Sequence, residues 1–339
     1  MGEGMSIKML ALIQGFDVAS SRYRILQYLP YLREHDIDDE IRPLPSSLNE
    51  KIQIYSMIKD FDLVFLHRKR FSLPEHMLVR KLARKIIYDF DDAIMYHNST
   101  YSSPYSSTRT RRFVRTIRDA DHVIAGNTFL RNQCLQHVDE HKVTVIPSSV
   151  DLARYRLKDY SVKKDKITIG WIGDTGSLHY VEKMAHVFDA IHERYPATEL
   201  KIICSHFFDC EKMPVLKVPW SSETEVDELR DMDIGIMPLI DDPWSWGKCG
   251  LKIVQYQAVG LPVVCMPVGV NRDIVSDGVN GLWASNDKQW LERISILVER
   301  PDKRREMGLK GRRVIEMEYS LETNAGRMLS VIETVVGAS

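Results

Sequence analysis

The chain has 339 residues, of which 44% are hydrophobic, and its 46 Lys and Arg residues nearly balance 47 Asp and Glu residues. This length corresponds to about two domains, and the balanced charge excludes both a generally basic nucleic-acid-coating protein and an acidic disordered chain. The five scattered cysteines form no Cys-x-x-Cys pair, which argues against a disulfide framework or a zinc ribbon and favours a reduced, cytoplasmic location.

Short apolar strands alternate with helical segments over the first 150 residues. Residues 7–14 predict a buried strand that ends at Gly15, and Ser20 and Ser21 predict the start of a helix. Asn127 is the expected N-cap of a later helix. The remaining strands are predicted at 63–66, 86–88, 123–125 and 143–146, and the helices at 75–84, 109–119 and from residue 128. This alternation is typical of a parallel βαβ sheet.

A polar stretch over 147–166 lacks apolar periodicity and is interpreted as an interdomain linker. A second β/α series follows it. Its strands are predicted at 167–172, 200–204, 215–218, 234–239 and 263–265, and its helices at 177–193, 223–231, 250–259, 270–276 and from about 287. The sequence therefore predicts two Rossmann-like sheets, whose ligands bind outside the carboxyl ends of the strands.

The most specific motif is the glycine- and lysine-containing segment over 247–264. Gly247, Lys248, Cys249 and Gly250 precede a predicted helix, and a helix N-terminus with free N–H groups suits a diphosphate. Lys252 and Gln255 continue one face of that helix beyond Lys248. The alternative is a pair of surface lysines on an ordinary amphipathic helix.

This segment, with 260–264 (GLPVV), 267–275 (PVGVNRDIV) and 277–282 (DGVNGL), resembles the donor domain of the retaining GT-B glycosyltransferases of family 4. The resemblance covers essentially the whole chain. It implies an α/β fold of GT-B type, with two Rossmann-like β/α/β domains facing across a cleft. We expect an acceptor-side domain over 1–150, a donor-nucleotide-binding domain over 151–320, and a C-terminal helix over 321–339 that crosses back to the first domain.

The resemblance implies transfer of a sugar from a UDP- or GDP-linked donor to an acceptor hydroxyl with retention of configuration. The acceptor would be a carbohydrate or a lipid-linked molecule used in glycan, glycolipid or natural-product assembly. No metal or other cofactor is implied, and the donor is itself the substrate. A first strand without a following Gly-x-Gly-x-x-Gly argues against an NAD-dependent dehydrogenase.

One departure concerns two glutamates that the family usually places with seven residues between them. Gly247 and Gln255 stand at those positions. Gln255 can still bind a ribose hydroxyl through its amide, and Asp241 or Asp242 is a candidate for the vacant sugar contact. The departure leaves two alternatives open, a GT-B sugar-nucleotide epimerase and a non-catalytic nucleotide-sugar-binding protein.

A glycine-containing turn ends the first strand of the second domain and is a candidate for donor binding. It comprises Gly173, Asp174, Thr175, Gly176 and Ser177. The family often has a basic residue soon after this turn, which is missing here. Lys248 and Lys252 are therefore the residues expected to stabilise the leaving diphosphate. Trp220 is expected either to stack on the donor base or simply to pack.

On the acceptor side, we expect contributions from Gly15, Ser21, Arg22 and Arg24, although these arginines fit a solvent-facing role equally well. Asp91 and Asp92 follow a buried strand and would orient or deprotonate the acceptor hydroxyl. The alternatives are a metal-binding Asp-x-Asp pair and a helix cap.

Basic residues concentrate in the first half of the chain. Residues 1–150 carry 21 basic and 18 acidic side chains, which leaves 25 against 29 for the remainder. Five arginines fall within 109–118, and His67 opens a second run that ends at Arg70. This asymmetry suggests peripheral contact with the inner face of a membrane, with an ordinary solvated surface as the alternative.

Overall fold

The computed structural model describes residues 6–162 and 164–337. The elements up to residue 149 largely follow the predicted alternation. The strands are β1 (Ile7–Ile13), β2 (Ile37–Pro43), β3 (Leu63–His67), β4 (Lys85–Phe90), β5 (His122–Ala125) and β6 (Val143–Val145). The helices are α1 (Ala19–Arg24), α2 (Leu29–Arg33), α3 (Leu48–Met57), α4 (Leu73–Leu82), α5 (Ser107–Asp119) and α6 (Thr128–Leu135).

The later elements form a second β/α series. Its strands are β7 (Ile167–Ile172), β8 (Thr198–Cys204), β9 (Val215–Pro219), β10 (Ile234–Met237), β11 (Val263–Cys265) and β12 (Gly281–Trp283). The first helices are α7 (Thr175–Glu182), α8 (Ala185–Arg194), α9 (Glu225–Arg230), α10 (Pro243–Trp246) and α11 (Leu251–Ala258). The others are α12 (Asn271–Ile274), α13 (Asp287–Glu299), α14 (Pro301–Glu318) and α15 (Leu321–Gly337).

The chain divides into two compact units, each built on a six-stranded sheet whose paired strands are all parallel. The first unit contains the chain up to Ser149, the segment Asp242–Cys249 and the residues from Leu321 onwards. The second unit contains Val150–Asp241 and Gly250–Ser320. The predicted α/β class with two Rossmann-like sheets is confirmed.

In the first unit the strand order is β2-β1-β3-β4-β5-β6. Both faces of β1 are covered, because Leu10 and Leu12 pack into one core while Met9 and Ile13 pack into another. Met328 of α15 joins the second of these cores, so the C-terminal helix belongs to the first unit. A parallel sheet needs this cover on both faces, which explains the continuous apolar run of β1.

In the second unit the order is β12-β11-β10-β7-β8-β9. The residues from Val150 onwards belong to this unit rather than to a free linker, and Tyr155 is buried in it. The carboxyl end of β7 leads directly into α7, which places the predicted glycine-containing turn at the ligand-binding edge of this sheet.

Several local expectations differ from the structure. β2 was not predicted, because this acidic edge strand, IDDEIRP, lacks the apolar run of a central strand. Helix α3 was not predicted either. Ser20 and Ser21 lie inside α1, whose N-cap is Val18. The helix predicted over 177–193 is split into α7 and α8.

Candidate functional site

The turn between β7 and α7 is shaped by Asp174, which is the N-cap of α7. Asp174 Oδ1 accepts hydrogen bonds from Ser177 N, at 2.8 Å, and from Ser177 Oγ, at 2.7 Å. The N–H of Ser177 is therefore already used within the turn. Thr175 and Gly176 form the first turn of α7, where the partial positive charge of the helix N-terminus is concentrated.

Lys252 of α11 lies across this turn. Its Nζ is 3.5 Å from Ser177 Oγ and 5.4 Å from the centre of the Trp171 ring. Gly173 leaves the space for this arrangement, since a Cβ at that position would lie 2.7 Å from Lys252 Cε and 2.4 Å from the Trp171 ring. The structure thus brings a lysine together with a helix N-terminus at the carboxyl edge of the second sheet.

Gly250 sets the start of α11. Its φ of +65° lies in the left-handed region, where a side chain is unfavourable. An added Cβ would also lie 2.4 Å from Ile274 Cδ1. Glycine at this position therefore fixes the direction in which α11, and with it Lys252, leaves the preceding loop.

Two polar residues that were not predicted lie beside the predicted Thr175. Thr175 Oγ1 lies 3.0 Å from Ser205 Oγ and 2.9 Å from His206 Nδ1. Ser205 and His206 directly follow β8, so they share the carboxyl edge with the α7 turn. In the sequence, Ser205 and His206 are recognisable only as a polar pair after a buried strand. The order of the strands in the sheet shows that this pair lies beside the turn that follows β7.

Gln255 is buried in the second unit, and its Nε2 donates to Tyr155 Oη at 2.8 Å. Tyr155 Oη in turn lies 3.5 Å from the carboxylate of Glu225. The other oxygen of Glu225 accepts from Trp220 Nε1 at 3.0 Å, and Arg154 pairs with Glu225 at 2.9 Å. Trp220 and Gln255 are therefore linked through a buried carboxylate that the sequence did not single out.

In the first unit, Asp91 and Asp92 follow β4 and share the guanidinium of Arg68. Arg68 Nη2 lies 2.5 Å from Asp92 Oδ2, and Arg68 Nε lies 3.4 Å from Asp91 Oδ1. Burial would lower the pKa of Arg68, but the two carboxylates outweigh it and raise that pKa. Lys248 Nζ is also 3.4 Å from Asp92 Oδ1. Asp92 is thus held between two cations.

Arg24 is not exposed to an acceptor or to solvent as the sequence suggested. It is 1% exposed, and its Nη2 pairs with Asp89 Oδ1 at 2.5 Å. His67 Nδ1 lies 2.8 Å from the other oxygen of Asp89. Burial would raise the pKa of Asp89, but Arg24 and His67 outweigh it and hold that pKa below its usual value. The three side chains form a buried network that joins α1, β3 and β4.

The other acceptor-side candidates are placed differently from one another. Gly15 follows β1 and is half-buried, whereas Ser21 is fully buried in α1. Arg22 is half-buried with its guanidinium 5.2 Å from the centre of the Tyr23 ring. Of this group, Gly15 and Arg22 keep exposed surface, and their acceptor role stays a prediction.

The segment Asp242–Cys249 packs with the first unit, although the sequence assigns it to the second domain. A Cβ at Gly247 would lie 2.5 Å from Ala93 Cβ, so glycine permits the close approach. Asn127 caps α6 as predicted and also donates to the Lys248 carbonyl at 3.0 Å. Cys249 is buried, and that burial raises the pKa of its thiol well above the usual value.

The candidates for the vacant sugar contact also separate. Asp242 is the N-cap of α10, with its Oδ1 accepting from Ser245 N at 2.7 Å, whereas Asp241 is exposed. Lys248 and Lys252, expected to act together, belong to the first and second unit respectively. Among the described residues, no group of three or more His, Cys, Asp or Glu side chains is arranged to hold a metal ion.

Comparisons with known proteins identify the class. Residues 20–154 match the model of the family described as Glycosyltransferase Family 4, and residues 169–300 match that described as Glycosyl transferases group 1. The crystal structure of Anabaena Alr3699/HepE in complex with UDP and glucose has a TM-score of 0.73 and 16% sequence identity to this chain. That alignment covers 97% of this chain and 100% of HepE. The fold is therefore of GT-B type.

Two curated relatives show weaker or shorter similarity. Spore coat protein SA of Bacillus subtilis (strain 168) is 34% identical over 88 residues, which is 24% of this chain and 23% of that protein. D-inositol 3-phosphate glycosyltransferase of Nocardia farcinica (strain IFM 10152) is 21% identical over 224 residues, covering 57% of this chain and 48% of that protein. The matched regions thus span about half or less of these relatives.

Together, the two family matches cover most of the chain, one in each half. The chain belongs to the GT-B glycosyltransferases and is similar to family 4, as its motifs predicted. In the part of the chain that the structure describes, no helix has the length and apolar character needed to cross a bilayer.

Proposed function

We propose that this protein transfers a sugar from a nucleotide diphosphate sugar to an acceptor hydroxyl with retention of configuration. The observation that carries the proposal is the position of Lys252 across the β7–α7 turn, 3.5 Å from Ser177. A leaving diphosphate gains negative charge as the glycosidic bond breaks, and a fixed cation beside a helix N-terminus stabilises that charge. The proposed reaction needs no additional cofactor.

The donor nucleoside is proposed to bind between Trp220 and Gln255. Glu225 fixes the Trp220 ring through its indole N–H and, by way of Tyr155, is linked to Gln255. A fixed aromatic ring suits stacking on a base, and an amide suits a ribose hydroxyl. UDP is the preferred donor nucleotide in this proposal, supported by the UDP bound in the structurally similar HepE.

For the acceptor, we propose a carbohydrate or lipid-linked hydroxyl that is oriented by Asp91 and Asp92. Both carboxylates are held in place by Arg68, and Lys248 keeps a second positive charge next to Asp92. A carboxylate held in place in this way can accept a hydrogen bond from a hydroxyl and orient it.

The test is a donor screen followed by a turnover assay. UDP, GDP, ADP and dTDP are compared by thermal shift, and the sugars of the best nucleotide are then assayed with and without acceptors. Release of nucleotide diphosphate that depends on an acceptor, and that falls by roughly two orders of magnitude or more in Lys252→Ala, supports the proposal. Epimerised donor without transfer would instead identify an epimerase, and binding without turnover a non-catalytic protein.

We further propose peripheral contact with anionic lipid through the exposed arginines of α5. Arg111, Arg112 and Arg118 are exposed, whereas His67 is buried and Arg68 is paired with aspartates, so the run over 67–70 does not form a continuous basic surface. Basic residues near a membrane favour binding to anionic headgroups, and salt weakens that attraction. Flotation with anionic liposomes tests this, and binding that does not respond to salt or lipid charge would contradict it.

A further inference from the structure

Four arginines of the first unit lie on α5 or directly after β3, and two of them contact the chain segment between β4 and α5. Arg70 lies just after β3, while Arg109, Arg112 and Arg115 are on α5, and we call these four the arginine cluster. Three of them donate to backbone carbonyl oxygens rather than to carboxylates. The contacts are Arg70 Nη1 to Ile94 O at 2.5 Å, Arg109 Nη1 to Tyr96 O at 2.9 Å, and Arg115 Nη2 to Phe71 O at 2.7 Å.

The positive charge of the cluster is not balanced by nearby acidic side chains. Within residues 6–162 and 164–337, no ion pair involves any of the four arginines. Burial lowers the pKa of Arg70, and the charges of Arg109, Arg68 and Arg112 act in the same direction, opposed by Tyr88. The Nε atoms of Arg70 and Arg115 are also buried without a hydrogen-bond partner.

Crowded cations with unused N–H groups are costly unless an anion complements them. The planar guanidinium presents two parallel N–H donors that match two oxygens of a phosphate, and such charge-assisted bonds are stronger than neutral ones. Several arginines together suit a group that carries more than one negative charge. Leaving buried N–H groups unpaired has its own cost, which a bound oxyanion would remove.

The location of the cluster points to the acceptor. The Ile94 carbonyl held by Arg70 is two residues beyond Asp92, and the Tyr96 carbonyl held by Arg109 follows in the same chain segment. Tyr105 is 71% exposed and packs edge-on against Tyr96, with ring centres 5.9 Å apart. An anion bound by the cluster would therefore lie next to the segment that carries the proposed acceptor-orienting aspartates.

We propose that the arginine cluster binds a phosphoryl group carried by the acceptor. The binding of the phosphoryl group follows from the charges and contacts of the cluster, and its assignment to the acceptor rests on the proposed function. Arg112 is the accessible member, being exposed and making no hydrogen bond to a carbonyl in the described structure. The group could be part of a soluble phosphate ester or of a lipid headgroup, and the test separates these sources.

The first arm of the test uses glycerol 3-phosphate as the probe and glycerol as its uncharged reference. The full chain is labelled with ¹⁵N-arginine, and the Nε signals of Arg70, Arg109 and Arg112 are followed during titration. These signals should shift saturably with the ester and not with glycerol. Arg112→Gln should weaken the binding by roughly 10- to 100-fold, the effect of losing one charge-assisted contact.

The matched control is Arg313→Gln, which removes the same charge from an exposed position of α14 in the second unit. It should bind the ester as the wild type does. Equal loss of ester affinity in Arg112→Gln and Arg313→Gln would overturn the proposal. So would cluster Nε signals that respond neither to the ester nor to the vesicles of the second arm. A shift in other arginines alone would place the phosphate elsewhere and overturn it as well.

The second arm compares vesicles of phosphatidylcholine with vesicles that also contain phosphatidylglycerol. Binding only to the latter, weakened at least tenfold more by Arg112→Gln than by Arg111→Gln, would show that the phosphoryl group comes from a lipid, because Arg111 adds only to the general attraction of α5 for anionic headgroups. Equal weakening by these two neighbouring exposed variants would indicate general attraction to a basic surface and refute a specific site.

Turnover measured on the same proteins keeps the two proposals apart. If the wild type shows no transfer with any acceptor while the cluster signals respond to the ester, the proposed function fails and the phosphate site stands. If the wild type transfers sugar and the cluster responds to neither probe, only the phosphate site fails.

Discussion

Gly173→Ala tests whether the β7–α7 turn positions Lys252 for the donor. The added Cβ would lie 2.4 Å from Trp171 Cζ2, 2.5 Å from Trp171 Cη2 and 2.7 Å from Lys252 Cε. Ordinary contacts begin about 1 Å further out. Lys252, at the end of a flexible side chain, is expected to be displaced. The buried Trp171 ring, which is 1% exposed, cannot move freely, so its contact with the new Cβ strains the turn.

Two effects follow from this displacement. Overpacking against Trp171 should destabilise the protein by about 1–3 kcal/mol. Loss of the charge-assisted contact between Lys252 and a diphosphate should cost about 1.5–3 kcal/mol, or roughly 10- to 150-fold in donor affinity. The dissociation constant for UDP is measured by calorimetry, and the free energy of unfolding by urea titration.

The comparison variant is Gly176→Ala in the same turn. Its added Cβ would meet only Asp174 Oδ1, at an ordinary 3.5 Å, so the change in affinity should be much smaller. In a Lys252→Met background, Gly173→Ala should have little further effect on UDP binding, because the contact is already lost. Wild-type UDP affinity in a folded Gly173→Ala protein, or a full additional loss in the Lys252→Met background, would refute this reasoning.

Three further predictions concern buried polar groups. Asp89→Asn should destabilise the protein by about 3–5 kcal/mol, because it leaves Arg24 buried without its counter-charge. Urea unfolding measures this loss, and a variant as stable as the wild type would contradict the prediction. The pKa of Asp89 is lower in the folded state, so its contribution to stability is present above the unfolded pKa of about 3.9 and is lost as pH falls through the folded value. Unfolding as a function of pH should show this acid-side loss in the wild type and not in Asp89→Asn. Gln255→Glu should raise the KM for the donor by roughly tenfold or more, because it puts a second carboxylate near Glu225, on the other side of Tyr155. An unchanged KM would argue against a role of the Gln255–Tyr155–Glu225 network in donor binding.

The elements with strong apolar patterns were predictable from the sequence. β7 was predicted with its observed bounds, and β11 likewise, because central parallel strands are continuous apolar runs. β2 was missed because an edge strand tolerates acidic residues on its exposed side. The sequence also identified the turn at 173–177 and Lys252, which the structure brings together.

The partners of these residues were not predictable, because they depend on contacts distant in sequence. Arg24 and Asp89 are 65 residues apart, and nothing local distinguishes a buried arginine in α1 from a solvent-facing one. Glu225 lies in an acidic helix where a surface position is the ordinary expectation, yet it is 1% exposed. Burial of a charge depends on which helix covers which strand, and that is decided by the whole fold.

Gln255 is linked through Tyr155 to a buried carboxylate, Glu225, elsewhere in the second unit. Tyr155 Oη accepts from the Gln255 amide and has one proton, which is directed towards Glu225. A glutamate at 255 would require the same hydroxyl proton for two carboxylates, and their like charges would be buried close together. Glutamine removes this conflict while keeping a hydrogen-bonding side chain at the position. In this network the buried carboxylate therefore comes from Glu225 of α9 and not from α11.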